Sequence, residues 1–220
     1  MALTESKMLP LGTKAPEFSL PNVVNGNTES LDQLKGENGS VIVFMCNHCP
    51  YVVYLIDHFV SFAKEYQKKG INTIAISSND VENYPADNPK LMRELALEKD
   101  FSFSYLYDED QSIAKSYDAA CTPDFFVLDA KDSLVYRGRY DRSRPGNPVS
   151  TNGEDLQQAL DSMLKKHPIS DKQYPSIGCN IKWKAGNEPT DFLFKIDQLN
   201  HKFKGCIWRD YPTSSSSSIS

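Results

Sequence analysis

The feature that most constrains the fold of this chain is a strand, helix and strand pattern within residues 41–77. Residues 41–45 (VIVFM) form a short apolar run, which is typical of a strand covered on both faces. Pro50 then opens a segment with apolar residues at helical spacing, and Gly70 stands where a C-cap glycine belongs. Residues 71–77 (INTIAIS) predict a second strand. Because a helix joins the two strands, the pattern predicts a parallel βαβ unit.

The alternation continues towards the C-terminus. Asn88 and Pro89 predict the N-cap and first turn of a helix that runs to about residue 99. The elements expected after it are a strand at 103–107, a helical turn at 111–117, a hairpin of 125–128 and 134–140 around a turn at 130–132, and a helix at 154–165. We therefore expect a compact α/β domain.

Domain boundaries follow from where this regular pattern starts and stops. We expect one domain over residues 12–166, followed by a C-terminal extension, residues 167–212, packed on that domain. Clear periodicity returns within the extension only at 191–203. The Ser-rich tail, residues 213–220, is expected to be disordered.

Composition and charge exclude several classes of function. The formal net charge is -5 at pH 7 and both signs are interspersed, so we expect neither a nucleic-acid-binding stripe nor a membrane-surface patch. No segment approaches the roughly 20 apolar residues of a membrane span. Residues 1–15 also lack the pattern of a signal peptide. We expect a cytoplasmic protein whose partners are small molecules or other proteins.

Two of the five cysteines stand out by their position. Thiols in a cytoplasmic chain catalyse, bind metal or sit buried more often than they form a disulfide framework. Cys46 and Cys49 lie between the first strand and the helix, and a cysteine at a helix start has a lowered pKa because backbone N–H groups and the helix dipole stabilise its thiolate. This predicts Cys49 as a nucleophile and Cys46 as its disulfide partner, with His48 favouring the thiolate when protonated.

A second feature is the dipeptide Thr122-Pro123 before an apolar run. A proline at this position is either a cis-proline turn that approaches a distant loop or a plain proline at the start of a strand. The residues by themselves leave both interpretations open.

Four strings carry a resemblance to a known family, namely FMCNHCPYV (44–52), CTPDFF (121–126), YRGR (136–139) and PSIGCNIKWK (175–184). Together they resemble the peroxiredoxin-like branch of the thioredoxin superfamily, often labelled AhpC/TSA or thioredoxin-domain proteins, over residues 12–183. The resemblance implies a thioredoxin fold, with a central mixed β-sheet flanked by helices, and a C-terminal extension. It also implies an active cysteine after the first core strand and a cis-proline facing it, here Pro123.

The motif differs from both of the better-known patterns. Thioredoxins keep both cysteines within the loop and helix start as Cys-x-x-Cys, whereas here the helix-opening Pro50 follows the second cysteine, and Val52 stands where the second thioredoxin cysteine would be. Against peroxiredoxins, Cys49 and Pro50 match the peroxidatic cysteine and its proline, but Cys46 replaces a threonine and Ile42 replaces a proline. Thiol–disulfide exchange is the leading hypothesis, because a second thiol is what exchange needs to resolve its intermediate.

The remaining thiols and two arginines leave alternatives open. Cys121 or Cys179 is a possible resolving thiol for a peroxidase that uses Cys49, and each is equally well explained as a buried packing residue. We treat Cys206 as incidental. Arg137 and Arg139 either supply a guanidinium near the site or lie on the surface.

Partners and cofactors follow from these hypotheses. A zinc site on Cys46 and Cys49 would need two further ligands, the second cysteine pair of a zinc ribbon is absent, and His48 is awkwardly placed between the cysteines. We therefore expect no metal and no other cofactor. The expected substrates are protein or small-molecule disulfides, with peroxides as a further class, and the expected reductant is an unidentified thiol. A third hypothesis is a thioredoxin-like module that binds a partner without turnover, which the lack of a carboxylate in residues 41–45 permits.

Overall fold

The computed structural model describes residues 3–189. In chain order the elements are β1 (Leu3–Glu5), β2 (Ser19–Pro21), β3 (Thr28–Ser30), α1 (Leu31–Leu34), β4 (Gly39–Phe44), α2 (Pro50–Gln67), β5 (Ile71–Ser77), a 3-10 turn (Pro85–Asp87), α3 (Pro89–Glu98), β6 (Ser104–Tyr107), α4 (Ser112–Ser116), β7 (Cys121–Thr122), β8 (Asp124–Leu128), β9 (Leu134–Gly138), α5 (Glu154–Leu164) and β10 (Ile177–Asn180). The described part of the chain up to Lys184 forms one compact unit, and Ala185 begins another. The predictions for 191–203, for Cys206 and for the tail at 213–220 lie outside the described residues.

The main sheet has five strands in the order β6-β5-β4-β8-β9. Strands β4, β5 and β6 are parallel, whereas β8 and β9 are antiparallel to their neighbours. Side chains of α2, α3 and α5 pack on one face of the sheet, and side chains of α1 and α4 pack on the other. The predicted thioredoxin fold, a central mixed sheet flanked by helices, is confirmed.

Strand β4 is buried along its whole length because both faces of the sheet are covered. Val41 and Val43 belong to the core on the α2 side, and Ile42 and Phe44 belong to the core on the other side. The alternation follows from the strand period of two residues. The sequence of such a strand is a continuous apolar run, and the run at 41–45 therefore predicts a strand covered on both faces.

Helix α2 begins at Pro50 with Cys49 as its N-cap, as the sequence predicts. It ends at Gln67 with Lys68 as the C-cap, so the expectation that Gly70 caps the helix is wrong. Gly70 instead adopts a φ of +77° in the turn that leads into β5. Neither α2 nor any other helix within residues 3–189 is long and apolar enough to cross a membrane.

A second, smaller sheet, in the order β1-β10-β7, was not predicted. Strand β10 pairs antiparallel with both neighbours, and Cys179 lies opposite Thr122 in the register with β7. Gly178 allows this approach, because a Cβ at that position would overlap the carbonyl oxygen of Thr122. The sheet therefore brings residues 177–180 of the predicted extension beside the Thr122-Pro123 turn.

Candidate active site

Three segments meet where strand β4 ends, namely the loop after β4, the Thr122-Pro123 turn and β10. Cys46 and Cys49 lie in the loop between β4 and α2, and both side chains are buried. The Cys49 thiol donates to the carbonyl oxygen of Thr122 at 3.0 Å, and Cys46 Sγ lies 3.5 Å from Thr122 Oγ1. The peptide bond between Thr122 and Pro123 is cis, as the resemblance implied. Cys179 of β10 also contacts Cys49.

The surroundings of Cys49 favour its thiolate. A hydrogen bond from Cys46 is the largest influence, and together with hydrogen bonds from the Thr122 hydroxyl and from the side chain and backbone of Cys179 it lowers the pKa of Cys49 to about 5, although burial raises that pKa. The carbonyl contact of Thr122 belongs to the thiol form, since a thiolate has no proton to donate.

The source of this stabilisation differs from the prediction. Cys49 occupies the N-cap of α2, but its side chain makes no capping hydrogen bond to the helix amides. Its sulfur turns towards β7 and β10 instead. The expectation that free N–H groups of the helix contact this sulfur is wrong, whereas its position at the positive end of the helix dipole is as predicted.

Cys46 has the opposite character. The hydrogen bond that it makes to Cys49 is the largest influence, and burial and the negative charge of Asp87 add to it, so that the pKa of Cys46 lies well above its usual range. Cys46 therefore stays protonated and donates to Cys49, which means that one thiol of the pair carries the negative charge and the other carries the proton.

Asp87, which no sequence pattern indicated, holds the loop that carries the two cysteines. The side chain is fully buried, and its Oδ1 accepts hydrogen bonds from the backbone N–H groups of Asn47 (2.8 Å) and His48 (3.3 Å). Its Oδ2 accepts from the side chain of Asn79 at 2.8 Å. A buried carboxylate thus reaches the site from the turn after β5, although residues 41–45 contain none. An aspartate within a polar loop gives no sequence signal of burial.

His48 faces this carboxylate and not the nucleophile. Its Nδ1 lies 2.6 Å from Asp87 Oδ2 in a contact that is short but not aligned as a hydrogen bond, and its ring stacks on Tyr84 with centroids 5.9 Å apart. The groups that stabilise the Cys49 thiolate are Cys46, Thr122 and Cys179. His48 is not among these groups, and the expectation that it favours the thiolate when protonated stays a prediction.

Among the described residues, Cys46, His48 and Asp87 form a cluster able to bind a cation, with ligand atoms within 4.8 Å of one another. The cluster does not include Cys49, so the expectation that His48 is awkwardly placed to join both cysteines in a zinc site stays a prediction. However, the Asp87 carboxylate already accepts hydrogen bonds from two backbone N–H groups and from Asn79. This arrangement fits a carboxylate that holds a loop better than one that binds a metal.

The two arginines of the YRGR string differ in burial. Arg137 is fully buried, where it pairs with Asp124 at 3.6 Å and donates to the carbonyl oxygen of Asp118 at 2.8 Å. Arg139 is half-buried and pairs with Asp155 at 2.7 Å. The guanidinium groups are thus committed to carboxylates, so the alternatives of a group near the thiols and of a free surface arginine are both wrong for Arg137.

The three other candidate residues differ in their relation to Cys49. Pro50 is exposed at the first position of α2. Cys121 is buried and directs its Sγ to the carbonyl oxygens of Pro123 (3.6 Å) and Ser176 (3.9 Å). Cys179 contacts the nucleophile itself. Of the two possible resolving thiols outside the loop, the structure therefore brings Cys179, and not Cys121, into contact with Cys49.

The thiols are closed off from solvent. Cys46 is 1% exposed, Cys49 is 0% exposed and Cys179 is 4% exposed. The residues next to Cys49 in the chain are less buried, since His48 is half-buried and Pro50 is exposed. A disulfide substrate therefore reaches Cys49 only when residues around the thiol move.

Comparison with known proteins agrees with the fold. The family model described as the AhpC/TSA family matches residues 11–137. An uncharacterized conserved protein from Geobacillus kaustophilus is 49% identical with a TM-score of 0.82, over 84% of this chain and 97% of that one. A hypothetical protein from Sinorhizobium meliloti 1021 is 41% identical with a TM-score of 0.81, over 83% of this chain and 100% of that one.

A more distant structure is similar in fold. Peroxidoxin BcpB from Mycobacterium tuberculosis is 17% identical with a TM-score of 0.53, over 72% of this chain and 98% of that one. Among curated proteins, none matches the chain. The family match covers more than half of the sequence, and the chain therefore belongs to the AhpC/TSA family, a peroxiredoxin-like group of thiol-based redox proteins within the thioredoxin superfamily.

Proposed function

We propose that the protein is a thiol–disulfide oxidoreductase in which Cys49 attacks a disulfide and Cys46 resolves the intermediate. The observation that carries the proposal is the contact between these two thiols, which lowers the pKa of Cys49 to about 5 and raises that of Cys46. The thiolate is the attacking form of a cysteine, so the contact selects the nucleophile.

The reaction follows from this division of roles. The Cys49 thiolate attacks one sulfur of the substrate disulfide, a mixed disulfide forms, and the other substrate sulfur leaves as a thiolate that takes up a proton. Cys49 then carries no negative charge, and the largest influence that kept Cys46 protonated is gone. Cys46 loses its proton and attacks Cys49 Sγ, which releases the second substrate sulfur and leaves a Cys46–Cys49 disulfide. A thiol reductant regenerates the reduced pair, and the substrates are protein or small-molecule disulfides.

A second candidate function is reduction of peroxides, and the complete burial of Cys49 favours it. A peroxide is small enough to reach a sulfur that is closed to larger disulfides. The Thr122 hydroxyl and the Cys179 backbone also stabilise negative charge at this position before any reaction begins. In this reaction the thiolate attacks one peroxide oxygen, the other oxygen leaves as water or an alcohol, and Cys49 becomes a sulfenic acid. That acid condenses with a neighbouring thiol and loses water, and Cys179 is the better-placed thiol for this than Cys121.

One experiment separates these functions. Reduced protein is mixed in single turnover with hydroxyethyl disulfide or with hydrogen peroxide, and Cys49→Ser serves as the inactive control. We expect rapid disulfide reduction that Cys46→Ser slows at the resolving step, and peroxide consumption near that of an ordinary thiol. If peroxide is consumed rapidly by the wild type and by Cys46→Thr, while Cys46→Ser leaves disulfide reduction unchanged, the peroxidase function replaces the exchange function. Reaction with neither substrate would instead support a partner-binding module without turnover.

A further inference from the structure

We propose that Cys179 is a second resolving thiol, which attacks Cys49 in the Cys46–Cys49 disulfide and displaces Cys46. The site then has two oxidised forms, in which Cys49 is bonded either to Cys46 or to Cys179. This inference rests on the proposed function, because it needs Cys49 to be the reactive thiol. It adds a third cysteine, on a different strand, to the exchange reaction.

The first support is geometric. Cys49 Sγ lies 3.0 Å from the carbonyl oxygen of Thr122, and Cys179 lies opposite Thr122 in the register of β10 with β7, so both cysteines adjoin the same residue. Hydrogen bonds from Cys179 also help to lower the pKa of Cys49. A disulfide requires two Cα atoms that lie close together, and the shared contact with Thr122 places Cys179 beside the loop that carries Cys49. Cys121 lacks such an approach, since its Sγ turns to Pro123 and Ser176.

The second support is the way in which β10 is fixed. The strand is paired on both sides, with Cys179 opposite Leu3 of β1 and opposite Thr122 of β7. Gly178 lies against the Thr122-Pro123 peptide so closely that no Cβ fits. Strand β10 is therefore held close to Thr122, and Cys179 follows directly after Gly178.

The third support is the electrostatic change on oxidation. Burial is the largest influence on Cys179, and the hydrogen bond to Cys49 and the charge of Cys49 add to it, so that the pKa of Cys179 is about 12. Once Cys49 is part of a disulfide, the last two influences vanish, whereas the ammonium group of Lys182 continues to lower the pKa of Cys179. Oxidation of Cys49 thus makes Cys179 a better nucleophile.

The transfer is balanced without a further oxidant. The Cys179 thiolate attacks Cys49 Sγ, the bond between Cys46 and Cys49 breaks, and a bond between Cys49 and Cys179 forms. Cys46 leaves as a thiolate and takes up the proton that Cys179 released. The product links the start of α2 to β10 covalently, and Cys46 is again reduced beside a Cys49 that the new bond protects.

The test uses the full chain. Reduced wild type, Cys46→Ser, Cys179→Ser and Cys49→Ser are oxidised with one equivalent of diamide, quenched in acid, alkylated and mapped by mass spectrometry. Cys121→Ser is the matched control, because it removes a buried thiol from the neighbouring strand. Circular dichroism melting of each reduced variant shows whether the variant is folded, and only folded variants are used to judge the disulfide maps.

We expect Cys46→Ser to form the Cys49–Cys179 disulfide in most molecules, Cys179→Ser to form only Cys46–Cys49, and Cys121→Ser to match the wild type. In the wild type, the share of Cys49–Cys179 should rise several-fold with time after oxidation. If folded Cys46→Ser yields only a diamide adduct or a sulfenic acid on Cys49, the inference is wrong while the proposed function stands. If Cys179→Ser also lacks the Cys46–Cys49 disulfide, or if Cys49→Ser forms a Cys46–Cys179 disulfide, the proposed function itself fails.

Discussion

The Sγ atom of Cys49 lies 3.0 Å from the carbonyl oxygen of Thr122, although the two residues are 73 positions apart in the sequence. This contact joins the loop after β4 to the turn before β8. The Thr122 side chain then becomes a hydrogen-bond donor to the thiolate. The reactivity of Cys49 therefore depends on a residue outside the CNHC motif.

We expect the thiolate of Cys49 to form far below the usual thiol pKa of about 8.5. Ultraviolet thiolate absorbance should rise with an inflection near pH 5, because the hydrogen bond from Cys46 and those from Thr122 and Cys179 favour the ionised form, and Cys49→Ser should lack the step. Thr122→Val should move the inflection upwards by about one unit, the value of one lost hydrogen bond. Thr73→Val, the same change in the middle of β5, should leave it unchanged. An inflection near the usual thiol value in the wild type would contradict this account.

Asp87→Asn should destabilise the protein and make Cys46 more acidic. An amide at this position presents a donor towards the Asn79 side chain and removes the charge that raises the pKa of Cys46. We expect a loss of about 1–3 kcal/mol in the free energy of unfolding, measured in urea. Glu82→Gln, an exposed change in the same loop, is the control. Equal stability of the two variants would show that Asp87 does not hold the loop.

Gly178→Ala should displace β10, because the added Cβ overlaps the Thr122 carbonyl. We expect a destabilisation of about 1–3 kcal/mol, as in other overpacked sites, and a higher pKa for Cys49 once Cys179 moves away. Thr4→Ala, which lies opposite Gly178 in β1, keeps the strand pairing and serves as the control. Faster hydrogen exchange of the β10 amides in Gly178→Ala alone would support this prediction, and unchanged exchange would oppose it.

The buried pair of Arg137 and Asp124 should show strong coupling. Arg137→Met leaves a buried carboxylate without its partner, which is expected to cost about 3–5 kcal/mol of stability. In Arg137→Met/Asp124→Asn, neither charge remains, so the double variant should lose less than the sum of the two single losses. Urea unfolding of all four proteins gives the coupling energy. Strict additivity would mean that the pair does not stabilise the fold.

The sequence predicted those parts of the fold in which many residues repeat one pattern. The apolar run of β4, the periodic apolar face of α2 and the Asn88-Pro89 helix start are local signals, and the structure has these elements within a few residues of the predicted bounds. Strands β1, β7 and β10 are only two to four residues long, so they are too short to show a period, and they pair across the whole length of the domain.

Local patterns predicted the cysteine pair of the site, whereas the cis bond at Thr122-Pro123 was implied only by the family resemblance. The signal for Cys46 and Cys49 is their spacing directly before a helix, which can be recognised within a few residues of sequence. In contrast, the burial of Asp87, the contact of Cys179 with Cys49 and the pairing of Arg137 with Asp124 all depend on neighbours supplied by other strands or loops. No pattern along the chain encodes such contacts, so side chains that look like ordinary polar or packing residues turn out to surround the reactive sulfur or to be buried in the core.

The central claim is that Cys49 forms the covalent intermediate and that neighbouring thiols resolve it. The most direct measurement is the intact mass of Cys46→Ser/Cys179→Ser after reaction with hydroxyethyl disulfide, followed by peptide mapping. We predict one stable mixed disulfide, located on Cys49, which disappears when Cys46 is restored and a Cys46–Cys49 disulfide replaces it. A double variant that forms no adduct, or an adduct located on Cys121, would contradict the account.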